Sequence, residues 1–539
     1  MTIMSRTALL LTLSIAGPLA AQDEAKPDSP PPIEIPDVVQ GITARELGGH
    51  MKFLSSDLMR GRDTASSEIR LAAEYIASRL SAAGAEASGD RESGGLGYFQ
   101  RFPLEVTTAL QEGTKLSIEV SEGGSRRVIP LQLGSDVTFY PGGLTPGEIE
   151  APVVFAGYGR VNPDEKVDDY DGIDVKNRFV LVLAGQPPVK PADGEKAEEK
   201  PPAPRNRSGQ RGGSPGKLEA ALKRGALGVF VVQPPGGNAP RRVPSPSAGQ
   251  TLPGFGRPSM TLGSPTPSIP NFTLSDPIRD LIFEATSFDV EKTPRGPLAG
   301  VQASFTFASN KELKEDRNVV GIFPGTDPEK KKEVIVFSAH YDHVGVNDKG
   351  EIFNGSDDNA SGTSALLEIA EAFGDGPKPA RTIAMLWVSG EEKGLLGSQW
   401  FADHVSLPEG YKIVADINID MVSRNDGKSI GMTPSAKHPS HSNLASMAEA
   451  SAKAEGLEIK YDADQFFGRT DSANFAKKGI PVVFFFSGLH EDYHRPTDDV
   501  EKADFDKAAR VARAAYRLGW QTAQGPDVPK LSKAEQAEE

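Results

Sequence analysis

Short apolar runs punctuate the second half of the chain. Val319 to Phe323, Val334 to Ser338, Ile383 to Val388, Ile417 to Met421 and Val482 to Phe486 are each bounded by turn residues. Stretches with apolar positions at helical spacing separate most of them, at 361–373, 440–454 and 500–523. In the last of these, Phe505, Ala508, Val511, Ala512, Ala515 and Tyr516 fall on one face. Strands alternating with helices predict an α/β fold with a mixed, mostly parallel central sheet flanked by helices. Open sheets of this class bind ligands beyond the carboxyl ends of their strands. The strand exits are therefore where chemistry is expected.

The first half reads differently. Residues 42–83 have a helical pattern in which Ser66 or Ser67 can cap a helix with Ile69, Ala72, Ala73, Ile76 and Leu80 on its apolar face, ended by Gly84. Lys115 to Val120, Pro152 to Phe155 and Phe179 to Leu183 read as strands, the last apolar throughout as if buried on both faces. Two low-complexity segments, 184–217 and 234–269, are expected to be disordered surface loops. Between them a short helix, Leu218 to Gly225, leads into the strand Gly228 to Val232. The expected division is a leader over 1–21, a disordered linker over 22–38 and the helices of the main domain over 39–110. An inserted β-rich domain over 111–307, the main α/β domain over 308–525 and a disordered tail over 526–539 complete it.

Composition narrows the chemistry. The chain of 539 residues has no cysteine, which excludes disulfides, a cysteine nucleophile, zinc ribbons and iron–sulfur clusters. Any metal site must be built from carboxylates and the 8 histidines. A net charge of -15 without a long basic block argues against nucleic acid as a partner. At the amino terminus, Arg6, the apolar run Ala8 to Ala16 and the small residues Ala20-Ala21 read as a secretory signal peptide. That run is too short for a transmembrane anchor, so export, with no membrane anchor after leader removal, is expected.

Five strand exits carry candidate chemistry. His340 and Asp342 follow the second run of the α/β half, two residues apart, so both can face one side as the strand ends. Asp357 and Asp358 stand before the next helix, where capping by Asp358 or Asn359 would also account for them. Glu391-Glu392 follow the third run, Asp420 lies within the fourth, and Tyr493-His494 follow the last. A lone carboxylate inside an apolar run is expensive unless paired or coordinated. Each feature alone has an ordinary surface explanation. Together they offer imidazole and carboxylate donors at the exits of one sheet, a set that suits a divalent ion such as zinc. The number of donors exceeds what one tetrahedral ion needs and fits a two-metal centre.

These segments resemble a known family. His340-Tyr341-Asp342, Gly355-Ser356-Asp357-Asp358-Asn359-Ala360-Ser361-Gly362, Ser389-Gly390-Glu391-Glu392-Lys393-Gly394, Asp420-Met421 and Tyr493-His494 are similar to the successive motifs of the di-zinc aminopeptidases of metallopeptidase clan MH, which also holds the glutamate carboxypeptidases. The resemblance spans about 318–523. It implies two zinc ions per chain, with Asp358 rather than Asp357 bridging them. His340 and Asp420 would complete one site, and Glu392 and His494 the other. Glu391 would be the general base, and Asp342 would accept a hydrogen bond from the far nitrogen of His340. Tyr493 could donate to the oxyanion of the reacting carbonyl. Arg469, in Gly468-Arg469-Thr470-Asp471-Ser472, could grip a substrate carboxylate or form a surface salt bridge. His343, His438, His441 and His490 match no motif position and are treated as non-ligands.

The middle region resembles the protease-associated domain inserted in secreted peptidases. The matching features are Phe155-Ala156-Gly157-Tyr158-Gly159, Tyr170-Asp171-Gly172-Ile173-Asp174-Val175 and the helix-to-strand unit at 218–232. The expected function is an exported zinc exopeptidase with a peptide substrate, most simply an aminopeptidase. A carboxypeptidase or dipeptidase of the same clan, a single-zinc glutaminyl cyclase-like acyltransferase and a binding protein on an inactive scaffold are the alternatives. Retention of all five ligands and Glu391 argues against the last.

Overall fold

A ten-stranded mixed sheet positions the strand exits. Its strands are β1 (Phe99–Ala109), β2 (Pro258–Leu262), β3 (Ser309–Phe323), β4 (Glu333–His340), β5 (Thr382–Val388), β6 (Lys412–Ile419), β7 (Ser429–Thr433), β8 (Glu458–Lys460) and β9 (Val482–Phe486), with Glu86–Ala87 paired beside β3. Across the sheet the order is β2-β1-β3-β5-β4-β6-β9-β7-β8. The computed structural model describes residues 33–532 apart from 123–124, 140, 142–143, 163–165, 188–214, 236–251, 253–254, 257, 264–267 and 291. The leader, most of the 22–38 linker and of both low-complexity segments, and the end of the tail lie outside the described residues.

Four strands form the parallel centre: β5, β4, β6 and β9. Buried throughout, β5 and β9 are apolar nearly end to end, as expected of central parallel strands. Helices α1 (Ala44–Leu54), α2 (Ser67–Ala82), α3 (Gly362–Asp375), α4 (Asn443–Ala454) and α5 (Phe505–Gln524) share one core with the sheet. There Leu47, Ile76, Phe373 and Tyr516 pack with Phe337, Trp387 and Ile417. The Ser66 side chain accepts from the Ile69 amide and starts α2, while Gly84, at φ +78°, follows its end.

Two strands depart from expectation. The stretch 39–110 contains β1 as well as helices, and β2 lies within the segment 234–269, yet both join the main sheet. Phe102, Leu104 and Val106 of β1 are buried alternately. Pro103 and the polar neighbours mask that alternation in the sequence, and its partners are remote in the chain.

A second sheet of eight strands is drawn from residues 115–307, including Lys115–Glu122, Gly147–Phe155, Phe179–Leu183, Gly228–Val232 and Gly296–Phe307. Phe179, Phe230, Phe272 and Phe305 pack ring against ring in its own core. Among the described residues, no helix is long and apolar enough to cross a membrane.

Arg62 fastens the amino-terminal segment to the strand exits. Its buried guanidinium donates to the carbonyls of Tyr341 (3.0 Å), Asn354 (2.8 Å), Gly355 (3.0 Å) and Leu54. Burial lowers its pKa to about 10, against the opposing pull of nearby carboxylates. Arg62→Ala strands these carbonyls, and each buried unpaired group costs about 1–3 kcal/mol. The variant is expected to lose at least about 3 kcal/mol of stability, read by urea unfolding of the full chain.

Candidate metal centre

The exits of β4, β5, β6 and β9 lie at one edge because these strands run parallel. β4 delivers His340 as its last residue, and Asp342 and His343 follow in irregular chain. After β5, Gly390 (φ +75°) turns the chain into Glu391 and Glu392. Asp420 directly follows β6, and His494 lies in the loop beyond β9. Met421 and His494 both have φ +52°, a backbone region that ordinary residues adopt sparingly and that concentrates at functional sites. The segment Ser356–Ser361 enters α3 and supplies Asp358, whose peptide bond to Asn359 is cis.

Donor atoms from these exits form two groups with one shared member. His340, Asp358 and Asp420 make the first; His343, Asp358, Glu392 and His494 make the second, with all atoms of a group within 4.8 Å of one another. In the first, His340 Nε2 lies 3.4 Å from Asp358 Oδ1 and 3.2 Å from Asp420 Oδ1. In the second, His494 Nε2 lies 3.1 Å from Asp358 Oδ2 and 3.0 Å from Glu392 Oε2. His340 Nε2, Asp420 Oδ1, Glu392 Oε1 and His494 Nε2 are nevertheless buried without an aligned hydrogen bond. Buried polar atoms this close normally pair. Their mutual misalignment is what donors aimed at a common central cation would show, so the residues fit divalent metal.

His343, expected to be a non-ligand, stands with the second group of donors. Its Nδ1 belongs to the second group, 2.9 Å from Glu392 Oε1. β4 ends at His340, and His343 lies beyond it in an isolated bridge to Asp63. His490 Nε2 lies 3.2 Å from Asp357 Oδ2, also without an aligned hydrogen bond, outside both groups. His438 packs against Phe467, and His441 meets Ser532.

Asp342 departs from its expected task. His340 Nδ1 sits 3.2 Å from the Asp342 main-chain oxygen and 3.7 Å from its carboxylate. The carboxylate instead accepts from the Thr64 hydroxyl (2.9 Å) and from the amides of Glu391 (3.2 Å) and Glu392 (3.4 Å). It thereby fixes the turn that carries both glutamates. Asp357 faces away from the groups and accepts from the Ser423 amide and hydroxyl, both at 2.7 Å. Asp498, absent from the sequence reading, accepts from the amides of Asp357 and Asp358 and so orients the shared carboxylate. Its only signal was a place in the acidic Asp498-Asp499 pair.

Electrostatics separate the carboxyls. Burial opposes ionisation of Asp358, but the His343, His340 and His494 rings hold it well below the ordinary range. Burial lifts Glu391 well above that range; His340 opposes the shift, while Glu392, Asp471 and Asp420 reinforce it. Glu391 is in neither donor group. At the rim, the Tyr493 ring stacks on His494 at 3.9 Å, and its hydroxyl accepts from exposed Arg469 at 3.3 Å.

Gly355 closes one side of this pocket. It has φ +58°, and a Cβ there would lie 2.3 Å from the Asp358 carbonyl and 2.5 Å from the His343 ring. Gly355→Ala is expected to cost at least about 2 kcal/mol through overpacking and strain and to weaken metal binding, checked by thermal unfolding with and without zinc.

Residues 318–518 match the family model described as peptidase family M28. By this match the segment is similar to peptidase family M28. The M28 segment contains every residue of both donor groups. The chain is 32% identical over 212 residues to a probable leucine aminopeptidase of Trichophyton verrucosum (strain HKI 0517), a match covering 36% of this chain and 57% of that protein. It is 25% identical over 223 residues to aminopeptidase YwaD of Bacillus subtilis (strain 168), covering 40% of this chain and 47% of that one. The chain thus spans about half the length of these curated relatives. An aminopeptidase from Aneurinibacillus sp. strain AM-1 aligns over 91% of this chain and 96% of its own, with a TM-score of 0.54 and 18% identity, which shows a shared fold.

Proposed function

We propose that this chain is an exported zinc-dependent aminopeptidase that removes amino-terminal residues from peptides. The observation that carries the reading is the convergence of misaligned, buried imidazole and carboxylate atoms on two positions that share Asp358, within an M28 segment. The names of the curated relatives favour the amino-terminal cut, and the pattern over Arg6 to Ala21 favours export.

In this reading His340, Asp358 and Asp420 hold one ion, and Asp358, Glu392 and His494 the other. Bound zinc supplies Lewis acidity and makes a water proton easier to remove near neutral pH. Glu391 takes that proton and passes it to the leaving amine as the peptide bond breaks. Asp342 acts as a positioning residue, because its carboxylate holds the Glu391 and Glu392 amides. The Tyr493 hydroxyl, steered by Arg469, donates to the carbonyl oxygen as negative charge develops there. Phe466, Leu489 and Tyr493 pack around Met421 and Phe486 beside the centre and favour an apolar leading side chain.

The test is hydrolysis of a leucyl anilide and its N-acetylated counterpart by the full chain. Turnover of the free-amine compound alone, abolished by a chelator and restored by zinc, is expected. Equal turnover of both compounds contradicts the amino-terminal reading, and insensitivity to chelation contradicts the metal.

A further inference from the structure

His343 has no task in the five-ligand scheme, yet its ring is completely buried at the centre. Its Nδ1 lies 2.9 Å from Glu392 Oε1 and 3.8 Å from Asp358 Oδ2, and its ring stands 5.5 Å from that of His494 at 77°. Neither ring nitrogen makes a hydrogen bond, and Glu392 Oε1 is equally unpaired. An ordinary buried histidine–glutamate pair would satisfy both atoms, since leaving them unpaired costs about 1–3 kcal/mol each. Here the distance is short but the direction misses, as it does for His340 and His494. The backbone is shaped around the ring: at Gly355 even a Cβ would lie 2.5 Å from the His343 Cγ and Cδ2.

We propose that His343 Nδ1 is a fourth protein donor at the position of Asp358, Glu392 and His494, so that the two halves of the centre are unequal. The proposal rests on the metal-dependent reading above. Four protein donors close a position, as in sites that retain their ion for structure; three leave a place for water or substrate, as in catalytic sites. The His343 position therefore fills first and releases last. The His340–Asp358–Asp420 position, with three donors, is the one that exchanges and faces the reacting carbonyl.

Zinc-edge X-ray absorption of the wild-type full chain carrying one equivalent of zinc tests this directly. Two imidazole donors on the bound ion are expected, from His343 and His494; a single imidazole overturns the proposal. In a competitive chelator titration, His343→Asn is expected to weaken the tighter of two zinc constants by more than about 100-fold, beyond the loss typical of an outer hydrogen-bond partner, and to spare the weaker one. A smaller loss overturns the proposal while leaving the metal-dependent reading intact. Failure of the wild-type chain to bind zinc would instead remove that reading, and the proposal with it.

Discussion

Glu391→Gln is expected to keep wild-type zinc content and lose about 10²- to 10⁴-fold in kcat, the usual contribution of a positioned general base. Glu391 belongs to neither donor group, so the substitution leaves the donor atoms of both groups in place. Its amide still donates to Asp342, which keeps the turn after β5 intact. The glutamine matches it in shape but cannot take the water proton. Zinc analysis and steady-state kinetics on the same preparation check the prediction. Near-wild-type kcat removes Glu391 as the base, whereas a parallel loss of zinc makes it a ligand.

Asp358→Ala is expected to affect both positions at once, because Asp358 is the residue common to the two groups. Zinc affinity should fall by more than about 100-fold at each, exceeding the loss on removing an outer partner. Stability follows through linkage: an ion at a thousandfold excess over its Kd stabilises the folded chain by about 4.1 kcal/mol. The variant should therefore lose most of the zinc-dependent rise in Tm as well as activity. Asp357→Asn is the contrast, since that side chain faces Ser423 and His490 and should leave zinc content unchanged. Loss of one ion only in Asp358→Ala contradicts the shared role.

What was legible in the amino-acid sequence follows from where each residue stands. His340, Glu391, Glu392 and His494 follow short apolar runs and Asp420 lies within one, so the parallel strands that bring them together are visible as a pattern in the sequence. Asp358 stands before α3 in a segment whose carboxylates also read as capping groups, and only the fold separates it from Asp357. His343 matches no motif position, and only the fold brings its ring to Glu392 and Asp358. β1 and β2 were missed because their pairing is long-range and their alternation is interrupted by proline and polar residues. Arg62, Thr64 and Asp498 act on carbonyls, a carboxylate and amides brought close only by folding, so no local spacing announces them.

The most direct test of the central claim is to follow one unblocked peptide, incubated with the zinc-loaded full chain, by mass spectrometry over time. Stepwise loss of residues from the amino terminus, stopped by chelation and restored by zinc, is the result predicted. Shortening from the carboxyl terminus, internal cleavage, or cleavage that persists in the zinc-free chain would contradict it.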